Sequence, residues 1–225
     1  MGRKLLLGTL ALGAALAVAL PASASARNRV EQPKYQVVAE HGSFEVRAYE
    51  PRLVAEVRVQ AKTAELATNA GFRVLASFIF GNNEARGEIA MTSPVGRSQS
   101  IDMTAPVGRK TDIDGSWTIS FTMPSRWTLE TLPKPKDPRV KIRQIPARRY
   151  AVRSFSGSPG PEKVDARETE LRDWAREAGY RPTGEPAAYN RYDPPWVPAF
   201  ARHNEIWLPL EGPEGDGAGS NSTSG

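Results

Sequence analysis

The chain has 225 residues, 40% hydrophobic, 24% charged and only 8% aromatic, which suits one globular domain with a real core and excludes a collagen-like or wholly disordered polymer. It carries no cysteine, so disulfides, thiolate chemistry and lipid attachment through cysteine are excluded. The formal charge is +5, but Arg and Lys are interspersed with Asp and Glu rather than gathered on one segment, and no nucleic-acid partner is expected.

The N-terminus opens with Arg3 and Lys4, continues as an uncharged apolar run from Leu5 to Leu20, and ends in "PASASA". That is the n-region, h-region and A-x-A pattern of a cleavable secretory signal over residues 1–26, and it predicts an exported protein, periplasmic or secreted. A retained membrane anchor is the competing reading, for a run near the short limit of the roughly 17 to 25 residues that span a bilayer. With the signal removed, no stretch is long enough to span. Residues 27–34 read as a polar lead-in, 35–210 as the folded domain, and 211–225 as a disordered Gly/Ser/Asn tail with too little apolar content to fold.

Inside the domain the chain is written twice. "FEVRAYEPRLVAEVRV" (44–59) laid over "VKIRQIPARRYAVRSF" (140–155) matches Arg47 with Arg143, Arg52 with Arg148 and Ala55 with Ala151. Each copy reads as two strands followed by a helix. In the first, Leu53, Ala55, Val57 and Val59 alternate with Glu56, Arg58 and Gln60. The helices are predicted over Lys62 to Phe80, ended by "GNN", and over Glu162 to Ala178, ended by Gly179. Between them come three predicted strands, Glu88 to Val95, Ser100 to Val107 and Ser116 to Met123. The third points Trp117, Ile119, Phe121 and Met123 inward and Ser116, Thr118, Ser120 and Thr122 outward. The first two carry the repeated phrases "MTSPVGR" and "MTAPVGR". They predict an edge or bulged hairpin in which Met91 and Met103 are adaptable core filler rather than metal ligands. A proline-punctuated crossover follows, and after the second helix come Pro186 to Tyr192, the loop "DPPWVP" and a last strand through "HNEIWLPL". The predicted class is α+β: a distorted antiparallel β-barrel or sheet built from two pseudo-repeated halves, flanked by two α-helices.

The two helices are not equivalent. The second carries one apolar stripe of Val164, Leu171, Trp174, Ala175 and Ala178, as a single sheet-facing side requires. In the first, Ala67, Ala70, Val74 and Phe78 form that stripe, but Phe72, Leu75 and Ile79 carry it further round, leaving only Glu65, Asn69, Arg73 and Ser77 polar. Either a loop such as "DPPWVPAF" covers the extra residues as ordinary core, or they line a groove for a flat apolar ligand or a partner. Enzyme signatures are sparse: there is no G-x-S-x-G elbow, H-E-x-x-H, Walker loop or G-x-G-x-x-G, and only two histidines, so a non-catalytic protein is expected. His41 reads as a turn residue. His203, Tyr189 and Tyr192 are the weak candidates for an axial heme ligand.

"GFRVLASFIFGNN", "IAMTSPV", "IDMTAPV", "FTMP", "LPKPKDPRV", "RSFSG" and "YDPPWVPAFARHNEIWLPL", in that order from Tyr35 to Leu210, resemble the SOUL heme-binding family in its exported bacterial form. The resemblance implies a distorted barrel of two repeated halves with two flanking helices, similar to gyrase-inhibitor-like small-molecule-binding domains. It also implies reversible, non-covalent binding of heme or a related tetrapyrrole, for carriage or buffering, in a groove along the first helix beside the Asp193 to Pro198 loop. Mapped position by position, the cofactor-binding residues would be Asn69, Phe72, Arg73, Ala76 and Ile79, with Trp196 and Phe200 from the loop. Ala48 stands where one animal branch has a strand histidine, and Asn69 and Ser77 stand where basic residues would meet propionates. The implied binding is therefore mainly apolar stacking with one charge contact, from Arg73. The alternative is an interaction module of the same fold, taking a protein or a non-heme ligand.

Overall fold

The computed structural model describes residues 30–85 and 99–212. The signal, the first three residues of the lead-in, the strand expected at Glu88 to Val95 with the first repeated phrase, and most of the tail lie outside the described residues. Nine strands form one strongly curled antiparallel sheet, a half-barrel. In chain order these are β1 (Tyr35–His41), β2 (Phe44–Tyr49), β3 (Arg52–Val59), β5 (Val107–Thr111), β6 (Trp117–Thr122), β8 (Lys141–Ile145), β9 (Arg148–Ser156), β10 (Ala188–Arg191) and β11 (His203–Pro209). Two short strands, β4 (Asn83–Glu84) and β7 (Lys134–Pro135), pair separately. The helices are α1 (Ala64–Ile79) and α2 (Pro161–Glu177).

The lateral order is β1-β2-β9-β11-β10-β5-β6-β3-β8. The matched copies interlock: β2 pairs with β9 and β3 with β8, so the first strand of each copy hydrogen-bonds to the second strand of the other. β1 is an element the sequence pattern does not announce. It joins β2 through a two-residue turn with Gly42 at φ 62, the left-handed conformation that glycine adopts without a Cβ clash. Its register slips between Val37 and Ala39.

Each helix covers one end of the curled sheet. α1 starts at Thr63, whose side chain accepts from the Leu66 N–H at 3.3 Å, and it buries Leu75, Phe78 and Ile79 against Leu53, Ala55, Val57, Ile119 and Phe121. Gly71 makes the contact close: a Cβ there would fall 2.4 Å from Ile119 Cγ1. Of the extra apolar face of α1, Leu75 and Ile79 are covered, but not by "DPPWVPAF", and Phe72 stays half-buried. Ile101, Leu132 and Val140, from the segment before β5 and from the crossover, complete that core. α2 buries only Val164, Leu171 and Ala175, over Val46, Ala151, Ile206 and Leu208.

Two expectations are corrected. Residues 100–106 are not a strand, because their backbone is engaged elsewhere: the Ile101 N–H donates to Ile79 O at 2.8 Å and the Ala105 N–H to Glu31 O at 3.0 Å, while Pro106 has no N–H to give. Met103 is consequently 39% exposed rather than core filler. The second correction concerns β6. Thr118 is buried, and Thr118, Ser120 and Thr122 line the hollow of the half-barrel instead of facing outward into bulk water, because the curl of the sheet encloses its polar face.

Candidate functional site

The residues implied for a tetrapyrrole site fall on two elements. On α1, Asn69 and Arg73 are exposed, Phe72 and Ala76 are half-buried, and Ile79 is 1% exposed, inside the core beneath the helix. Phe72 meets Phe121 edge-on, with ring centroids 5.3 Å apart. Arg73 donates through Nε to Asn69 O at 3.2 Å and has no carboxylate partner among the described residues. Trp196 and Phe200 lie between β10 and β11 at 82% and 81% exposure, Phe200 in a short 3-10 turn, Ala199–Ala201. Arg202 braces this loop from within, donating to Val197 O at 2.8 Å, Pro195 O at 2.5 Å and Ser158 Oγ at 2.6 Å, while Asp193 accepts from the His203 N–H at 2.6 Å. No ring contact or hydrogen bond joins Trp196 or Phe200 to α1 among the described residues. The register gives the relation between the two elements: Arg191, at the loop's entry, lies opposite Val107, and Val107 lies opposite Phe121. Two strand spacings, about 10 Å, therefore separate the loop entry from the strand under Phe72.

The weak axial candidates are held in a network that sequence reasoning missed. On β11, Ile206 and Leu208 face α2, so alternation sends His203, Glu205 and Trp207 to the other face. Glu205, with 3% of its side chain exposed, accepts from Arg47 Nη1 at 3.0 and 3.1 Å, Tyr192 Oη at 2.5 Å, Trp207 Nε1 at 2.6 Å and Ser154 Oγ at 3.3 Å. His203 Nε2 lies 3.0 Å from the same carboxylate. Burial alone would raise the Glu205 pKa. The His203 hydrogen bond, the Arg47 charge and the bonds from Tyr192 and Trp207 outweigh it and hold the group at about 2. Burial and the adjacent Glu205 charge push the Tyr192 hydroxyl well up, so it stays protonated and committed to Glu205. Tyr189 likewise donates to Asn204 Oδ1 at 2.8 Å. The sequence signal was present: one charged residue inside an apolar strand, "HNEIWLPL", calls for a buried partner, and Arg47 between Val46 and Ala48 is its match.

Glu205 is saturated, and among the described residues no three His, Asp or Glu side chains are arranged to hold a metal ion. No helix among them is long and apolar enough to cross a membrane. The structure instead offers a half-exposed helix face with one free guanidinium, a braced aromatic loop, and a polar hollow.

Comparison with known proteins agrees with this architecture. The chain is 31% identical over 168 residues to heme-binding protein 2 of Homo sapiens and 28% identical to that of Mus musculus, in each case over 74% of this chain and 78% of the relative. Among solved structures, the C-terminal domain of EcmrR superposes with a TM-score of 0.54 at 13% identity, over 79% of this chain and 98% of that one. A hydrolase from Listeria innocua gives 0.50 at 14%, over 77% and 94%. At those identities the likeness concerns the fold alone. The profile of the SOUL heme-binding protein family matches residues 30–209, so the chain belongs to the SOUL family.

Proposed function

We propose that this protein binds heme or a related tetrapyrrole reversibly and non-covalently, without chemistry on it, for carriage or buffering outside the cytoplasm. The site would be the exposed side of α1, Asn69, Phe72, Arg73 and Ala76, with Trp196 and Phe200 of the braced loop at its margin and Ile79 supporting it from beneath. The observation that carries this reading is the pairing on α1 of a half-exposed apolar face with a guanidinium that no carboxylate among the described residues neutralises. Those residues fit a flat apolar ring with an acidic edge: Phe72 and Ala76 supply surface, and Arg73 supplies a cation for a propionate. Family membership and the two heme-binding relatives support the ligand class. The "RKLLLGTLALGAALAVALPASASA" leader supports export.

The test is titration of the purified protein with hemin, followed at the Soret band. A saturable change is expected. Arg73→Glu, an exposed substitution that leaves the core untouched, should weaken binding about fivefold, the effect of ~1 kcal/mol for an exposed charge contact. An unsaturable response, or unchanged affinity in both Arg73→Glu and Phe72→Asp, would sink the reading. The exposure of Trp196 and Phe200 favours a second reading, an interaction module that takes a protein or a different apolar ligand. A native mass spectrum of protein purified from its host separates the two by the mass that is carried.

A further inference from the structure

Away from the exposed side of α1, the start of β3 and the crossover frame a second kind of site. A cavity of about 520 Å³ opens beside the start of β3, within the size range of small-molecule sites; Lys34, Arg52, Leu53, Met123, Trp127 and Leu129 are among its walls, and so are the carboxylates Glu31, Glu50 and Glu130. A smaller one, about 120 Å³, occupies the hollow of the half-barrel over Gly108, Ser120 and Asn190, with Arg143 and Arg148 at its sides. Arg52 and Thr122 line both, so the two adjoin there.

Arg52 differs from the arginines around it. Arg47, Arg143 and Arg148 each pair with a carboxylate, whereas Arg52 has none within 4.0 Å among the described residues. Its guanidinium rests against the rings of Tyr49, Tyr150 and Trp207 at 5.2, 5.4 and 5.6 Å, and its Nη2 donates to Tyr150 Oη at 3.0 Å. Its Nη1 is buried with no acceptor among the described residues, and so is Trp127 Nε1. A buried donor without a partner is costly and rare in native proteins. Here two of them belong to side chains in the wall of one ligand-sized cavity.

We propose that this cavity binds a small organic anion, with its carboxylate or phosphate against the Arg52 guanidinium, a further acceptor at the Trp127 indole, and its apolar body against Leu53, Met123 and Leu129. The aromatic cage fixes the guanidinium plane in advance, and a planar fork suits a two-oxygen headgroup. The site is independent of the tetrapyrrole reading, because none of the α1 and loop residues assigned to that reading lines this cavity.

The test follows the Trp127 indole N–H of the 15N-labelled full chain by NMR during titration with benzoate, phenyl phosphate and inorganic phosphate. A saturable downfield shift with benzoate, phenyl phosphate or both is expected, and the headgroup that produces it names the class. Arg52→Gln should weaken binding at least tenfold, with Arg52→Lys between the two, while hemin titration of Arg52→Gln stays at the wild-type value. Absence of saturation with every probe, or equal affinity in Arg52→Gln, overturns the proposal. Should Arg52→Gln lose the dispersed spectrum of a folded chain, Trp127→Phe, read at the Trp207 indole, replaces it. A severalfold loss is then expected, and unchanged affinity overturns the proposal.

Discussion

Arginines stand at matched places in the two copies of the chain, and the structure uses them in opposite ways. Arg47 and its counterpart Arg143 both reach a glutamate. Arg47 and Glu205 meet with side chains 5% and 3% exposed, and Arg143 and Glu56 with 54% and 18%. The buried pair sits where β2, β9 and β11 bring their inner faces together; the exposed pair sits on β8, at the open edge of the sheet. Similar local sequence therefore produces a structural centre in one place and a solvated contact in the other. Neighbouring strands, not the copied segment, set the energetic weight.

The sharpest way to break that contrast is to remove one partner of the buried pair. Glu205→Gln, or Arg47→Met, should cost about 3–5 kcal/mol in urea unfolding, since each leaves the other charge buried and unpaired. The pH dependence follows from the depressed carboxyl. The folded pKa of Glu205, about 2, lies below its ordinary 4.5, so its stabilisation is complete above that ordinary value and is lost as pH falls through about 2. Unfolding measured from neutral pH down to 2 should show about 3 kcal/mol of this loss in the wild type and none of it in Glu205→Gln. An intermediate effect is expected at the close contact under α1. Gly71→Ala should destabilise by about 1–3 kcal/mol despite alanine's better helix propensity, because the added methyl meets Ile119, which is fully buried and cannot withdraw. A smaller cost of Gly71→Ala in an Ile119→Ala background than in the wild type would confirm the steric cause, because that truncation removes Cγ1 and Cγ2 from the contact. Smallest of all, Arg143→Ala should change stability by less than about 1 kcal/mol, and a change as large as that of Arg47→Met would refute the contrast.

What the sequence disclosed follows periodicity, and what it concealed follows enclosure. The alternation of Leu53, Ala55 and Val57, and of Ile119, Phe121 and Met123, identifies strands and their core side because one face of each is covered by α1. The same alternation cannot tell that Thr118, Ser120 and Thr122 face a hollow rather than bulk water, since that depends on how far the sheet curls. The stretch from Ile101 to Pro106 has a strand's apolar spacing, yet its N–H groups go to Ile79 and Glu31, partners that only tertiary structure supplies. The helix-one residues are legible as a set, but Ile79 proves to be core, and Leu75 and Ile79 are covered by Leu132 and Val140 from a crossover that carries no periodic signal. Glu205 and Arg47, separated by 158 residues, announce themselves only as charges out of place in apolar strands.

The slipped register of β1 bears on the behaviour of the protein in company. Among the described residues the half-barrel does not close and β1 and β8 are its edges, and an edge strand with exposed Val37 and Val38, 50% and 45% accessible, is a template for a second chain. The slip between Val37 and Ala39 breaks the regular spacing of donors and acceptors along that edge, while the opposite edge, β8, is five residues long and carries Lys141 and Arg143. Both features work against edge-to-edge pairing of two copies.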